Sequence, residues 1–83
     1  MAFKVLLEKK ARRQIEDLPK EKSRLIETLK ELEKGFLARV DIKKLKGTKN
    51  HYRIRVGNYR ILLVFESDTA YVYDVSHRGQ VYK

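Results

Sequence analysis

Arg53, Arg55 and Arg60 stand on either side of Gly57-Asn58, a dipeptide suited to a tight hairpin that needs positive backbone φ. If these two residues form the loop, Val56 pairs with Tyr59, and one step further out Arg55 lies opposite Arg60. Side chains alternate along a strand, so Arg53, Arg55 and Arg60 share one face, while Tyr52, Ile54, Val56, Tyr59, Ile61 and Leu63 share the other. Like charges directly opposite each other cost a sheet roughly a few tenths of a kcal/mol, so this pairing is a poor choice for stability alone. It points to a bound anion, with splaying into solvent as the plainer alternative. The planar fork of a guanidinium grips phosphate oxygens, and a tyrosine ring stacks on a splayed base, the combination RNA recognition uses. A third strand leads into Ser76-His77-Arg78-Gly79 and then Gln80-Val81-Tyr82-Lys83. In a meander its end comes beside the strand of Arg60, so His77, Arg78 and Tyr82 can converge on the arginines. His51 shares the expected face of Arg53, where a bystander role is the simpler reading.

These residues need a scaffold, and the hydrophobic periodicity supplies one. Residues 3–7 are short, apolar and partly β-branched, which reads as a first strand. Over residues 8–18, Ala11, Ile15 and Leu18 recur at helical spacing. Pro19 ends that helix and opens the next, over residues 20–34, with Leu25, Ile26, Leu29 and Leu32 on one side and Gly35 just past its end. Residues 35–49 are less regular: Phe36, Leu37, Val40, Ile42 and Leu45 can anchor them, with a short strand near residues 41–45. Lys43, Lys44, Lys46 and Lys49 then point outward as candidate RNA-binding groups. Gly47-Thr48-Lys49-Asn50 is a turn by composition. From there the period changes to two, with strands over residues 51–56, 59–65 and 70–75. Tyr52, Tyr59, Tyr71 and Tyr73 read as half-buried sheet residues that pack the core. The expected fold class is α+β, an N-terminal β-strand and a two-helix hairpin packed on a small antiparallel sheet in the order β-α-α-β-β-β. Residues 1–83 give room for a single domain.

Composition narrows the chemistry further. Twenty Lys and Arg against eleven Asp and Glu leave a net charge of +9 on 83 residues, an excess that a polyanionic partner would relieve. The absence of cysteine excludes disulfides and thiolate catalysis and fits a reducing compartment. No carboxylate and histidine cluster has the spacing of a metal site, so no cofactor and no metal are expected. The N-terminal segment has no signal-type apolar core, and the longest later apolar run, residues 61–65, is far too short to cross a bilayer. A soluble, cytoplasmic protein with no membrane contact is the expectation.

Lys44-Leu45-Lys46-Gly47, Tyr52-Arg53-Ile54-Arg55-Val56, Gly57-Asn58-Tyr59-Arg60-Ile61-Leu62 and Val75-Ser76-His77-Arg78 occur in an order that resembles the RelE/ParE toxins, as does Leu18-Pro19 between the helices. The resemblance spans nearly the whole chain. It implies the toxin of a type II toxin–antitoxin system, partnered by a cognate antitoxin, by messenger RNA and by the ribosome. The activity implied is metal-independent, ribosome-dependent cleavage of messenger RNA in the ribosomal A site, in which a 2′-hydroxyl attacks the adjacent phosphorus. By motif position, Arg53 and Arg55 match two basic residues of the family site, Arg60 the phosphate-stabilising arginine, Arg78 the C-terminal arginine and Tyr82 the stacking tyrosine. The segment from Arg78 to Tyr82 is shorter than in the best-known bacterial member, which carries lysines where this chain has Arg53 and Arg55. Arginine holds its proton too tightly to be an easy general base. His77 is then the candidate for proton transfer, with phosphate contact or simple exposure as its other readings. Two rival functions remain open on the sequence: a ParE-like inhibitor of DNA gyrase without nuclease activity, and a non-catalytic RNA-binding module.

Overall fold

Alternation along β3 (His51–Val56) and β4 (Tyr59–Glu66) decides which side of the sheet the helices cover. In the computed structural model, which describes residues 3–35 and 37–77, these strands join β1 (Lys4–Leu7), β2 (Asp41–Lys44) and β5 (Thr69–His77) in one five-stranded sheet. The strand order is β1-β5-β4-β3-β2. Helices α1 (Lys9–Glu16) and α2 (Lys22–Glu33) follow β1, and a short 3-10 turn at Leu37–Arg39 precedes β2. The α+β class and the helical hairpin are as expected. One correction concerns the sheet, which is mixed: β1 runs parallel to β5, with Leu7 beside Val72, because the chain passes through both helices before it returns to the sheet.

Ile54, Val56, Ile61, Leu63, Ala70, Val72 and Val75 are buried on the side that meets the helices. Ala11 and Ile15 of α1 and Leu25, Leu29 and Leu32 of α2 close over them, so the apolar stripe of each helix finds its partner. Full burial of each large aliphatic side chain contributes about 1.5–3 kcal/mol. Pro19 lies in the link between the helices, where the Leu18 carbonyl accepts from the amides of Glu21 and Lys22. Gly35 takes φ +79° just after α2, and its amide donates to the Leu32 carbonyl.

The hairpin register is the one the turn requires: Val56 pairs with Tyr59, Ile54 with Ile61 and Arg55 with Arg60. Gly57 carries the positive φ, +58°, and the Arg24 guanidinium crosses directly over it. A Cβ there would stand 3.0 Å from Arg24 Nη1, so this glycine serves both the turn and the close approach. A β-bulge interrupts the pairing of β4 with β5: Leu62 faces Asp74, but Leu63 faces Val72, leaving Tyr73 as the extra residue. Gln14 of α1 clamps this irregularity, accepting from the Val75 amide at 2.8 Å and donating to Asp74 Oδ1 at 2.9 Å. Lys10 Nζ also approaches Asp74 Oδ1, at 3.2 Å.

Candidate nucleic-acid interface

With helices over one side of the sheet, the other side presents its residues in cross-strand rows. One row runs Ser76, Arg60, Arg55, Asp41 from β5 to β2. In the next, Leu62, Arg53 and Lys43 are neighbours. A third runs Leu6, Tyr71, Val64 from β1 to β4, with His51 beyond it on β3. Arg53, Arg55 and Arg60 therefore do gather on one face, and Lys43 joins them.

The cationic corner holds one carboxylate. Asp41 stands opposite Arg55 and lies 3.8 Å from Arg53 Nη1. The Arg53 side chain is only 14% exposed, so part of its charge is held out of water against the sheet. Arg53 Nη1, Arg55 Nε and Ser76 Oγ are buried without a hydrogen-bond partner among the described residues. A buried donor left unpaired costs about 1–3 kcal/mol, and phosphate oxygens would satisfy these donors. The corner thus has the charge sign and donor type to hold a polyanionic backbone. Arg55 also lines a groove of about 430 Å³ that extends the corner toward α2. Both signs of charge line it, with Arg24 and Arg39 facing Glu27 and Glu31.

His77 is not brought to the arginines. It pairs with Tyr59 and packs edge-on against that ring, 5.2 Å between centroids, on the helix side where Gln14, Asp17 and Leu18 line a groove. The bulge is the cause: an extra residue in β5 reverses the face of everything beyond it, so Ser76 takes the place beside Arg60. Lys44 pairs with Tyr52 and so belongs to the helix side. Lys46 and Lys49 are exposed in the turn between β2 and β3. Arg78 and Tyr82 lie outside the described residues.

Tyr71 and Tyr73 also depart from expectation, facing the open side instead of the core. Tyr73 Oη lies 3.2 Å from His51 Nδ1, and the two rings meet edge-on. Burial, reinforced by the neighbouring Asp74 carboxylate, raises the Tyr73 phenol above its ordinary pKa. Asp41, Ser76, Tyr71 and Tyr73 are members of this face that sequence reasoning missed. Among the described residues, no group of three or more histidine, aspartate or glutamate side chains could hold a metal ion. No described helix is long and apolar enough to cross a membrane.

An α+β domain that gathers guanidinium groups on the side of its sheet away from the helices carries the charge that a polyanionic ligand would need. Comparison with known proteins narrows the reading. Residues 5–82 match the family described as the ParE toxin of type II toxin-antitoxin system, parDE. RelE1 of Methanocaldococcus jannaschii is 33% identical over 100% of this chain and 98% of its own length. Toxin RelE3 of the same organism is 52% identical over 44 residues, which are 53% of this chain and 50% of that protein, so this match spans about half of the relative. Among solved structures, a chain of the RelB-RelE antitoxin-toxin complex from Methanococcus jannaschii superposes with a TM-score of 0.81. That chain is 34% identical, and the match covers 93% of this chain and 94% of that one. The chain belongs to the RelE/ParE family and is a RelE-type toxin of a type II toxin-antitoxin system.

Proposed function

We propose that the protein is a metal-independent endoribonuclease that cleaves messenger RNA in the ribosomal A site and is held in check by a cognate antitoxin. The observation that supports this reading is the adjacency of Arg53, Arg55 and Arg60 on the side of the sheet away from the helices, with Lys43 beside Arg53. In the reaction, the arginines hold the scissile phosphate while the neighbouring 2′-hydroxyl attacks phosphorus. Their charge is already in place as the phosphoryl oxygens gain negative charge, so little reorganisation accompanies the step. Lys43 extends the cationic track along the backbone. Lys44, Lys46 and Lys49 contribute longer-range attraction for RNA. On the family resemblance, Arg78 adds a further phosphate contact and Tyr82 stacks on a base. The place of action is the cytoplasm, and residues 1–83 act as one unit.

The antitoxin reading draws on the similarity to a chain solved in an antitoxin-toxin complex. An acidic or apolar antitoxin helix laid across the same face would neutralise the charge and block the RNA. Purified protein added to translating ribosomes tests the nuclease reading through the positions and chemistry of messenger RNA ends. The expected products are 2′,3′-cyclic phosphate and 5′-hydroxyl termini. Intact RNA would remove the reading. The match to the ParE description supports one rival, inhibition of DNA gyrase, whose sign is gyrase-dependent DNA damage without RNA cleavage.

A further inference from the structure

With His77 on the helix side, the arginine face still needs a group that can move a proton. Guanidinium groups do not release theirs near neutral pH. His51 is the described histidine on that face, one alternation step from Arg53 along β3. Its surroundings differ from those of a solvent-exposed ring. Val64 stands opposite it on β4, Leu45 of the preceding turn donates its amide to the His51 carbonyl, and Tyr73 reaches across from β5 to Nδ1. Among the described residues, the charged groups beside it in the register are Arg53 on its own strand and Lys43, opposite Arg53 on β2, while Asp74 neighbours Tyr73. The contact pins one ring nitrogen. A tyrosine hydroxyl can accept from Nδ1–H, which leaves the lone pair of Nε2 available as a base.

We propose that His51, oriented by Tyr73, is the general base of the RNA cleavage reaction. This rests on the nuclease reading above and names a catalytic residue within it. Nε2 accepts the 2′-hydroxyl proton as the 2′-oxygen forms its bond to phosphorus. The P–O5′ bond breaks with its electron pair on the 5′-oxygen, which takes a proton from water. The imidazolium then returns its proton to solvent, and the products are the 2′,3′-cyclic phosphate and the 5′-hydroxyl. Tyr73 is a positioning residue. Its phenol is protonated at neutral pH, so the hydroxyl can accept from Nδ1–H whether or not Nε2 carries a proton. The bulge at Leu62/Leu63 gains a purpose, because the residue it inserts into β5 is the one that meets His51.

The test is single-turnover cleavage on programmed ribosomes as a function of pH, with wild type, His51→Gln, Tyr73→Phe and Arg60→Ala, each checked for a wild-type thermal melt and for RNA affinity. His51→Gln is expected to slow cleavage by about 100-fold or more at neutral pH, the usual contribution of a general base, with RNA affinity unchanged. Wild-type cleavage falls toward acid pH, because a base must be unprotonated to act, and that limb is absent in His51→Gln. Tyr73→Phe keeps the ring and loses only the hydroxyl, so it shows a smaller loss of rate and a displaced limb. A purely structural contact would instead lower the melting temperature and leave the pH profile in place. Wild-type rates and profiles in both folded variants, with Arg60→Ala impaired, overturn the proposal and leave the nuclease reading standing. Uncleaved RNA with wild type overturns both.

Discussion

Ile54 and Arg55 are neighbours in β3 with opposite surroundings. Ile54 is fully buried opposite Ile61, whereas Arg55, one residue on, faces a second arginine and keeps a buried Nε without a partner among the described residues. The two faces of one sheet thus answer to different requirements. On the helix side, aliphatic residues meet aliphatic residues and stability rises with each. On the open side, Arg55 against Arg60, and Ser76 Oγ buried without a described partner, hold stability below what apolar or oppositely charged pairs would give. On the proposed function, the bound RNA supplies the interactions this face lacks.

Substitutions on the two sides should therefore behave in opposite ways. Leu63→Ala, on the helix side, is expected to cost about 2–5 kcal/mol of unfolding free energy in chemical denaturation, since it opens a cavity beneath both helices. If the open side is the functional one, Arg60→Ala lowers the rate of RNA cleavage by about 100-fold or more, in line with the loss of one preorganised charge-stabilising donor. Gln14→Ala tests the join between the faces. It leaves the Val75 amide and the Asp74 carboxylate without their clamp, and a loss of about 1–3 kcal/mol is expected in the same unfolding experiment. The smallest effect sharpens the comparison most: Arg55→Ala relieves the facing pair and raises stability by roughly a few tenths of a kcal/mol. The same change lowers the salt slope of RNA binding by about one phosphate contact. A loss of stability in Arg55→Ala would mean that the pair is held by the protein's own contacts.

Much of this contrast was legible in the sequence. Gly57-Asn58 sets the loop, the loop sets the register, and the register puts three arginines on one face and the isoleucines on the other. These constraints are local, and a two-residue hairpin leaves no freedom in pairing. The β4–β5 pairing is different because the bulge lies away from the turn. Alternation carried on from Ala70 and Val72 would bury the Asp74 carboxylate and expose Val75, and the inserted residue avoids both penalties. An aspartate at a core position two residues after a buried valine was the available signal, and overlooking it placed His77 on the wrong side. The parallel pairing of β1 left no such mark, since a four-residue apolar strand fits either direction at a sheet edge. Tyr71 and Tyr73 likewise read as core residues in the sequence, because half-buried aromatics look alike on both faces.

The central claim is that Arg53, Arg55 and Arg60 together hold the RNA phosphate backbone. NMR of the guanidinium Nε–H groups, recorded while a 2′-methoxy oligoribonucleotide that cannot be cleaved is added, tests it most directly. The Nε–H resonances of these three arginines are expected to shift along one common binding isotherm. Shifts confined to Arg12, Arg13 and Arg24 of the helices, with the three sheet arginines unmoved, would contradict it.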